Sequence, residues 1–265
     1  MNYRGAFDLV SESVATGDPV TEGLIREIHK RLVQGVRGGE AQPGAYRTVQ
    51  NYIARGSEVV YTPPPPVDVA PLMREFVDWQ REKIGTTTTH PVLVAGIAQF
   101  QLVHIHPFVD GNGRTSRLLS MLCLYRAGYD FKRLFTLSEY YDRDRKQFYS
   151  ALQAVRAKEL DLTPWLEFFT SALAAQLQEV RARGEMIIRR DVLAREQRLN
   201  PRQTVAVGYL LEHTELGMAE FHQLLPEANR RTLQRDLRDL VERRILKTSG
   251  AARAAVYSLK IKGLR

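Results

Sequence analysis

The chain has 265 residues, 44% hydrophobic and 26% charged, which suits one large or two modest domains with a sizeable core. Its 38 lysines and arginines outnumber 30 acidic residues, a mild positive excess that permits an acidic partner without requiring one. No apolar run approaches a membrane span, no signal-peptide core is present, and the single cysteine excludes an intramolecular disulfide. We therefore expect a cytoplasmic protein with no membrane partner.

Two helices are predicted at the N-terminus. The first runs from Met1 to about Ala15 and is broken by Gly17-Asp18-Pro19. Thr21 is a suitable N-cap for the second helix, which runs to Val33 with apolar residues at helical spacing. A loop is expected from Gly35 to Gly44.

A short β-hairpin follows. Its strands are predicted at Tyr46–Ile53 and Val59–Tyr61, on either side of Arg55-Gly56-Ser57, because both segments are rich in β-forming residues. The prolines from Pro63 to Pro66 end the hairpin, since proline cannot donate to a strand ladder. Two further helices are then predicted, at Val69–Lys83 and at Pro91–His104.

A polar block, His106-Pro107-Phe108-Val109-Asp110-Gly111-Asn112-Gly113-Arg114-Thr115-Ser116-Arg117, is followed by an almost wholly apolar run from Leu118 to Tyr125. A helix that is apolar on nearly all sides is buried, so the block should lie at the N-terminus of a central helix that Gly128 closes. Cys123 lies within this helix and is interpreted as a small buried apolar residue.

The block has the composition of a nucleoside-phosphate site. A helix N-terminus carries unpaired N–H groups that attract phosphate, and the glycines allow the backbone to wrap an anion. Arg114 and Arg117 add donors for phosphate oxygens, while Asp110 is a hard oxygen ligand suited to magnesium. His106 can take a proton near neutral pH.

The chain remains helical after the central helix. A connection is predicted from Phe131 to Leu137, and Ser138 is a plausible N-cap for a short helix. Another helix runs from Asp144 to about Lys158, and Thr163-Pro164 begins a long one that passes Leu177. A charged helical connection is expected from Arg181 to Arg198.

The C-terminal part matches the winged-helix pattern. Helices are predicted at Val205–Glu212, Met218–Leu225 and Arg230–Arg244, followed by a hairpin formed by Leu246-Lys247 and Ala255–Leu259. The segment that begins at Asn229 resembles the recognition helix of many bacterial repressors. The residues that could meet DNA phosphates and base edges are Arg230, Arg231, Thr232, Gln234 and Arg235. The alternative is a module for dimerisation or for presenting targets.

The polar block resembles the signature of the Fic family, His-Pro-Phe-x-Asp/Glu-Gly-Asn-Gly-Arg-x-x-Arg, and matches it at every fixed position. The resemblance implies a Fic-type helical bundle, mainly α, that transfers AMP from ATP to a hydroxyl side chain of a target protein. It implies that His106 deprotonates the hydroxyl, that Phe108 anchors the loop and that Asp110 binds Mg²⁺. In the same way Gly111, Asn112 and Gly113 would form the anion hole, Arg114 would contact the β-phosphate region and Arg117 the γ-phosphate.

The resemblance also implies two neighbouring surfaces. The hairpin would be a flap that holds the target chain by strand addition, through Thr48, Val49, Val59, Val60 and Tyr61. Tyr140, Tyr141 and Tyr149 are candidates for the nucleotide pocket, with packing in the core as the alternative for each. The predicted domains are therefore a Fic catalytic domain at 1–180, a helical linker at 181–199 and a winged-helix domain at 200–265.

Two questions of function stay open. Doc-type kinases carry lysine at the position of Gly113, so this glycine favours nucleotidyl transfer, but relatives that transfer UMP or phosphocholine share much of the motif. A DNA-binding regulator that only senses nucleotide is a further alternative. Many Fic proteins carry an inhibitory Ser/Thr-x-x-x-Glu-Gly/Asn helix. We find no such motif here, since the residue four before the only Glu-Gly pair, Glu22-Gly23, is Asp18 rather than serine or threonine. Inhibition would then come from a partner, from a segment removed before Met1, or not at all.

Overall fold

A computed structural model of the chain describes residues 2–35, 42–84, 88–129, 137–250 and 255–260. These residues are mainly helical, with two small antiparallel sheets. The chain divides into two compact units, Met1–Leu177 and Gln178–Arg265. Within the described ranges, none of the helices combines the length and the apolar character needed to cross a membrane.

The first unit is a helical bundle with one hairpin. Its helices are α1 (Asn2–Thr16), α2 (Glu22–Val33), α3 (Pro66–Lys83), α4 (Pro91–Ile105), α5 (Asn112–Arg126), α6 (Leu137–Arg143), α7 (Arg145–Ala157) and the start of α8 (Thr163–Glu196). Its strands are β1 (Ile53–Arg55) and β2 (Glu58–Tyr61). The predicted connections at 35–44 and 131–137 fall largely outside the described residues.

The helix at the centre of the bundle is α5, as the apolar run predicted. The side chains of Leu118, Leu119 and Leu122 have no exposed surface, and Cys123 is buried among them. The helix ends at Arg126, and Gly128 follows in the left-handed region at φ +84°, the conformation in which glycine commonly ends a helix. Because α5 is fixed on all sides by this packing, its N-terminus is a rigid platform.

The first strand of the hairpin is shorter than predicted. β1 covers Ile53–Arg55, whereas the sequence pattern indicated Tyr46–Ile53. The preceding segment does not pair with β2 because it is bound to the polar block. The Arg47 N–H donates to the Pro107 carbonyl at 2.8 Å, and the Asn51 side-chain amide donates to the Phe108 carbonyl at 2.9 Å.

Several helix boundaries also differ from the prediction. α3 begins at Pro66 rather than Val69, since the fixed φ of proline suits the first turn of a helix. The long helix and the charged connection are one continuous helix, α8, of 34 residues. α6 begins at Leu137, so Ser138 lies inside the helix instead of preceding it. The predicted cap of α2 is confirmed, since the Thr21 hydroxyl accepts the Leu24 N–H at 3.0 Å.

The second unit contains the end of α8 and a small helix–sheet module. Its further elements are α9 (Pro201–Glu212), β3 (Leu216–Gly217), α10 (Met218–Leu224), α11 (Arg230–Glu242), β4 (Leu246–Ser249) and β5 (Val256–Leu259). The strands form one antiparallel sheet in the order β3-β5-β4. The two-residue strand β3 was not predicted, because two residues carry no alternation. The core is apolar and includes Val207, Phe221 and Leu237.

Candidate active site

His106 ends α4 in an unusual backbone conformation. Its φ of +53° lies in the left-handed region, and its N–H donates to the Leu102 carbonyl at 3.0 Å. The Nδ1 atom lies 3.2 Å from the Val103 carbonyl oxygen, which can only accept, so Nδ1 carries the hydrogen and Nε2 keeps a free lone pair. Burial lowers the pKa of His106 to about 4, so the imidazole is neutral at pH 7.

The loop between α4 and α5 is held by Asn112. The side chain of Asn112 is buried, accepts the Phe108 N–H at 2.9 Å and donates to the Phe108 carbonyl at 2.8 Å. Both the carbonyl oxygen and the NH₂ group of this side-chain amide therefore form hydrogen bonds inside the loop. Only the backbone N–H of Asn112 is available for an anion.

His29, which the sequence pattern did not indicate, also supports this loop. Its ring stacks on that of Phe108 with 3.7 Å between centroids and 3° between planes. The Gly44 N–H donates to its Nδ1 at 3.0 Å, so Nε2 carries the hydrogen and donates to the Asp110 carbonyl at 2.9 Å. Burial lowers the pKa of His29, which keeps this fully buried ring neutral.

The N-terminus of α5 faces the loop with its backbone N–H groups. Gly111 caps the helix at φ +81°, and a Cβ on it would lie 2.8 Å from the Val33 side chain, so only glycine fits. The first backbone hydrogen bond of the helix runs from the Thr115 N–H to the Gly111 carbonyl at 2.9 Å. The preceding N–H groups, on Asn112, Gly113 and Arg114, therefore have no partner within the helix and mark a site for an anion.

Asp110 and Arg114 lie together at the exposed edge of this N-terminus. One carboxylate oxygen of Asp110 accepts the Gly111 N–H at 2.6 Å, and the other lies 3.3 Å from the Arg114 guanidinium. The Asp110 side chain is 59% exposed. Among the described residues no cluster of three or more His, Cys, Asp or Glu could hold a metal alone. A single exposed carboxylate beside a phosphate site fits magnesium, which binds through one or two carboxylates together with substrate phosphates and water.

Arg117 lies one turn further along α5 and points into a cavity of about 540 Å³. Its Nε atom is buried and has no hydrogen-bond partner within the described ranges, and burial lowers the pKa of the guanidinium. His106 and Gly113 line the same cavity, and a Cβ on Gly113 would meet only the Arg117 guanidinium at 3.8 Å. The glycine thus leaves free space beside the Arg117 guanidinium.

The three candidate tyrosines lie in different places. Tyr141 is 2% exposed, stacks on Phe148 with 4.7 Å between centroids and belongs to an aromatic cluster with Trp165. Tyr140 packs at the side of this cluster. Neither of these two lines the cavity, whereas Tyr149, which is 55% exposed, does. The position of Tyr141 matches the alternative of packing in the core.

The flap, residues 48–61, presents exposed apolar side chains. Val49 and Val59 are 56% and 53% exposed, and Val60 lines the cavity. Thr48 lies in a bend before β1 rather than in a strand. Tyr61 is an anchor, since its hydroxyl donates to the His104 carbonyl at 2.7 Å.

Arg47 joins the flap to the polar block, a role that its sequence context does not reveal. Only 2% of the residue is exposed. Its guanidinium donates to four carbonyl oxygens, those of Val49, Pro64, Ile105 and His106. The segment before β1, the prolines after β2 and the end of α4 are thereby held by one side chain.

In the second unit, α11 has an exposed basic face. The exposed candidates are Arg230, Arg231, Gln234 and Arg235, with Thr232 partly buried and Arg238 on the same face. Two of the three acidic residues of the helix, Asp236 and Asp239, pair with arginines of the same unit, and the third, Glu242, is exposed at its C-terminal end. Asp236 lies 2.6 Å from the Arg202 guanidinium, and Asp239 lies 3.2 Å from that of Arg243.

Comparisons with known proteins agree with this geometry. Residues 19–124 match the Fic/DOC family. The chain is 36% identical to the protein adenylyltransferase Fic of Drosophila willistoni over 166 residues, which are 62% of this chain and 30% of that protein. The chain thus spans about 30% of the length of the curated relatives that it matches.

Solved structures extend the likeness. A Fic family protein from Desulfovibrio desulfuricans superimposes with a TM-score of 0.56 at 26% identity, over 99% of this chain and 75% of that chain. Fic-1 from C. elegans gives a TM-score of 0.53 at 26% identity, over 68% of this chain and 50% of that chain. The block from His106 to Arg117 falls wholly inside the matched region, so this chain contains a Fic/DOC family domain.

Proposed function

We propose that the Fic domain transfers AMP from ATP to a hydroxyl side chain of a target protein, or of the chain itself. The observation that carries the proposal is the cavity lined by the neutral imidazole of His106, by Gly113 at the N-terminus of α5 and by Arg117, whose Nε has no partner among the described residues. The name that the Drosophila relatives carry, protein adenylyltransferase, supports the same reaction.

In this reaction Nε2 of His106 takes the proton of the target hydroxyl. The hydroxyl oxygen attacks the α-phosphorus, the bond from that phosphorus to the bridging oxygen breaks, and pyrophosphate leaves. The pKa of His106 is low in the free protein, and the negative charge of a bound nucleotide would raise it and make the imidazole a stronger base. The rest of the rate comes from positioning and from neutralising phosphate charge.

The other residues of the block would each contact a different part of the triphosphate. The N–H groups of residues 112–114 would bind phosphate oxygens, with Arg114 near the β-phosphate and Arg117 near the γ-phosphate. Asp110 would hold Mg²⁺, which neutralises phosphate charge when it is bound. The free space at Gly113 is where a lysine of the Doc type would enter, and its absence supports nucleotidyl transfer.

We assign the adenine ring of ATP and the target chain to the remaining walls of the cavity. Tyr149 is the better candidate to contact the adenine ring, because it lines the cavity whereas Tyr141 is buried in the core. The target chain would lie against the flap, where Val49 and Val59 expose apolar surface for it. The amide and carbonyl groups of a strand edge would then add backbone hydrogen bonds.

Incubation with each labelled nucleoside triphosphate tests the assignment, with the wild-type chain compared with His106→Ala. We expect label from ATP on the chain itself, dependent on His106. Label from UTP alone would support the alternative of UMP transfer. Bound ATP without any transferred label, with target-containing lysate also present, would contradict the proposed reaction.

We further propose that the second unit is a winged-helix domain that binds DNA through α11. Three helices, a strand between the first two and a terminal hairpin support this assignment. The exposed basic face of α11 supplies charges for DNA phosphates, because Asp236 and Asp239 pair with Arg202 and Arg243 and leave the arginines of that face unopposed by them.

A gel-retardation assay separates DNA binding from dimerisation or target presentation. Binding should survive His106→Ala and fall with Arg231→Ala and Arg235→Ala, with a steep dependence on salt. Arg243→Ala is the matched control, since this arginine is already paired with Asp239. Absence of retardation in the wild type would favour the other roles, and retention of binding in both α11 variants would contradict binding through α11.

A further inference from the structure

Arg156 is a partly buried cation outside the Fic signature. It lies on α7, and its guanidinium carbon is 3.3 Å from the centroid of the Tyr61 ring. Its Nε atom is buried and has no hydrogen-bond partner among the described residues. Burial lowers the pKa of Arg156, and no carboxylate in the described part of the chain offsets this effect. A partly desolvated charge without an anionic partner is costly, which indicates that an anion is supplied from outside.

The cavity that Arg156 lines is strongly basic. Its lining contains the side chains of Arg117, Arg145, Lys146 and Arg156, and no aspartate or glutamate among the described lining residues. Arg145 lies at the surface and pairs with Asp142 at 3.0 Å. Arg117 lies on α5, beside the N–H groups that we assign to phosphates. Lys146 is exposed to solvent. Arg156, on the wall formed by α7, is therefore the partly buried cation that the nucleotide site does not account for.

Arg156 also lies where the flap meets the core. Gln153, one turn earlier on α7, donates to the Val60 carbonyl at 2.8 Å. Tyr61, under the Arg156 guanidinium, is bound to His104. Arg156 and His106 line the same cavity. A target chain that lies along the flap with its hydroxyl at His106 would pass Arg156.

We propose that Arg156 binds a carboxylate of the target chain, close in sequence to the modified hydroxyl, and so gives the site a preference for acidic target segments. This inference rests on the proposed function, because it takes the flap and His106 as the acceptor side of the cavity. An arginine fork is suited to such a carboxylate, since it offers two parallel donors.

Peptide binding without ATP tests the inference. The probes are short fluorescein-labelled peptides with a central threonine, serine or tyrosine and either glutamate or glutamine at one flanking position. The wild-type chain should bind the best glutamate peptide about tenfold more tightly than its glutamine twin, as expected for a charge-assisted hydrogen bond. Arg156→Gln should abolish this preference without weakening the glutamine peptide, and Arg156→Lys should keep part of it.

Arg145→Gln is the matched control, because it removes an arginine from the same helix and cavity that already has a carboxylate partner. Equal binding of both peptides by the wild type, no binding of either, or a preference that survives Arg156→Gln would overturn the inference. So would an equal loss for both peptides with a lowered melting temperature, which indicates a purely structural role under Tyr61. A loss of ATP affinity in Arg156→Gln would assign the residue to the nucleotide instead. Because no transfer is measured, absence of AMP transfer would refute the proposed function and leave this result standing.

Discussion

Arg47→Lys changes one buried side chain and keeps its charge, yet we expect it to destabilise the first unit strongly. The guanidinium of Arg47 reaches four carbonyl oxygens on three separate segments. A lysine ammonium has three donors that all radiate from one atom, so it cannot span the same set. Some of these carbonyls would lose their donor in a site that water does not reach.

The expected magnitude follows from these contacts. A hydrogen bond to a charged group contributes about 1.5 to 3 kcal/mol, so losing two of the four lowers the free energy of unfolding by about 3 kcal/mol or more. For a unit the size of Met1–Leu177, each kcal/mol lowers the melting temperature by about 2 to 4 °C. Arg47→Lys should therefore melt about 6 to 12 °C below the wild type.

Differential scanning calorimetry on the whole chain measures this shift. Arg31→Lys is the control, because Arg31 is a half-exposed arginine paired with Glu27, and its replacement should cost about 0.5 kcal/mol or less. Transfer activity should fall in Arg47→Lys as well, since the His106 carbonyl is one of the four acceptors. If Arg47→Lys melts within about 1 °C of the control, the reasoning about this side chain is wrong.

Three further predictions concern the polar block. The pKa of His106 is about 4 in the folded chain, below the ordinary value of 6.5, so the unfolded chain takes up its proton first. The contribution of His106 to the free energy of unfolding should be complete above about pH 6.5 and be lost as the pH falls toward 4. Urea titrations at several pH values should show a smaller loss of stability for His106→Gln than for the wild type. The same pH dependence in both proteins would count against the assignment. Asn112→Ala leaves the buried Phe108 N–H without an acceptor and should cost about 1 to 3 kcal/mol in chemical denaturation, whereas a cost near zero would mean that the amide clamp is absent. Gly111→Ala should destabilise the chain more than Gly128→Ala. Both glycines have a positive φ, but only at Gly111 would the new Cβ meet a side chain, at 2.8 Å. Equal losses in melting temperature would contradict this packing.

Local patterns were sufficient to predict much of the fold. The burial of α5 follows from its apolar run, and the cap of α2 follows from Thr21. The boundary of β1 could not be predicted in this way, because Arg47 and Asn51 make contacts with residues far along the chain. Tertiary hydrogen bonds thus override the β propensity of the segment.

The residues that support the site were harder to find than the site itself. In the sequence His29 looks like one polar position on an amphipathic helix, and only the fold brings it under Phe108. Tyr141 and Tyr149 look alike as candidates, but helical spacing cannot tell which face meets the core and which meets a cavity. Arg156 likewise has no local signal, since its environment is made by the flap.

The central claim is that His106 directs an incoming hydroxyl to the α-phosphorus of ATP. The most direct measurement is to supply ATP labelled either on the α-phosphate or on the γ-phosphate and to follow the label on protein. The account predicts protein label from the α-labelled ATP alone, with release of pyrophosphate and no label in His106→Ala. Label from the γ-phosphate, or α-label that persists without His106, would contradict it.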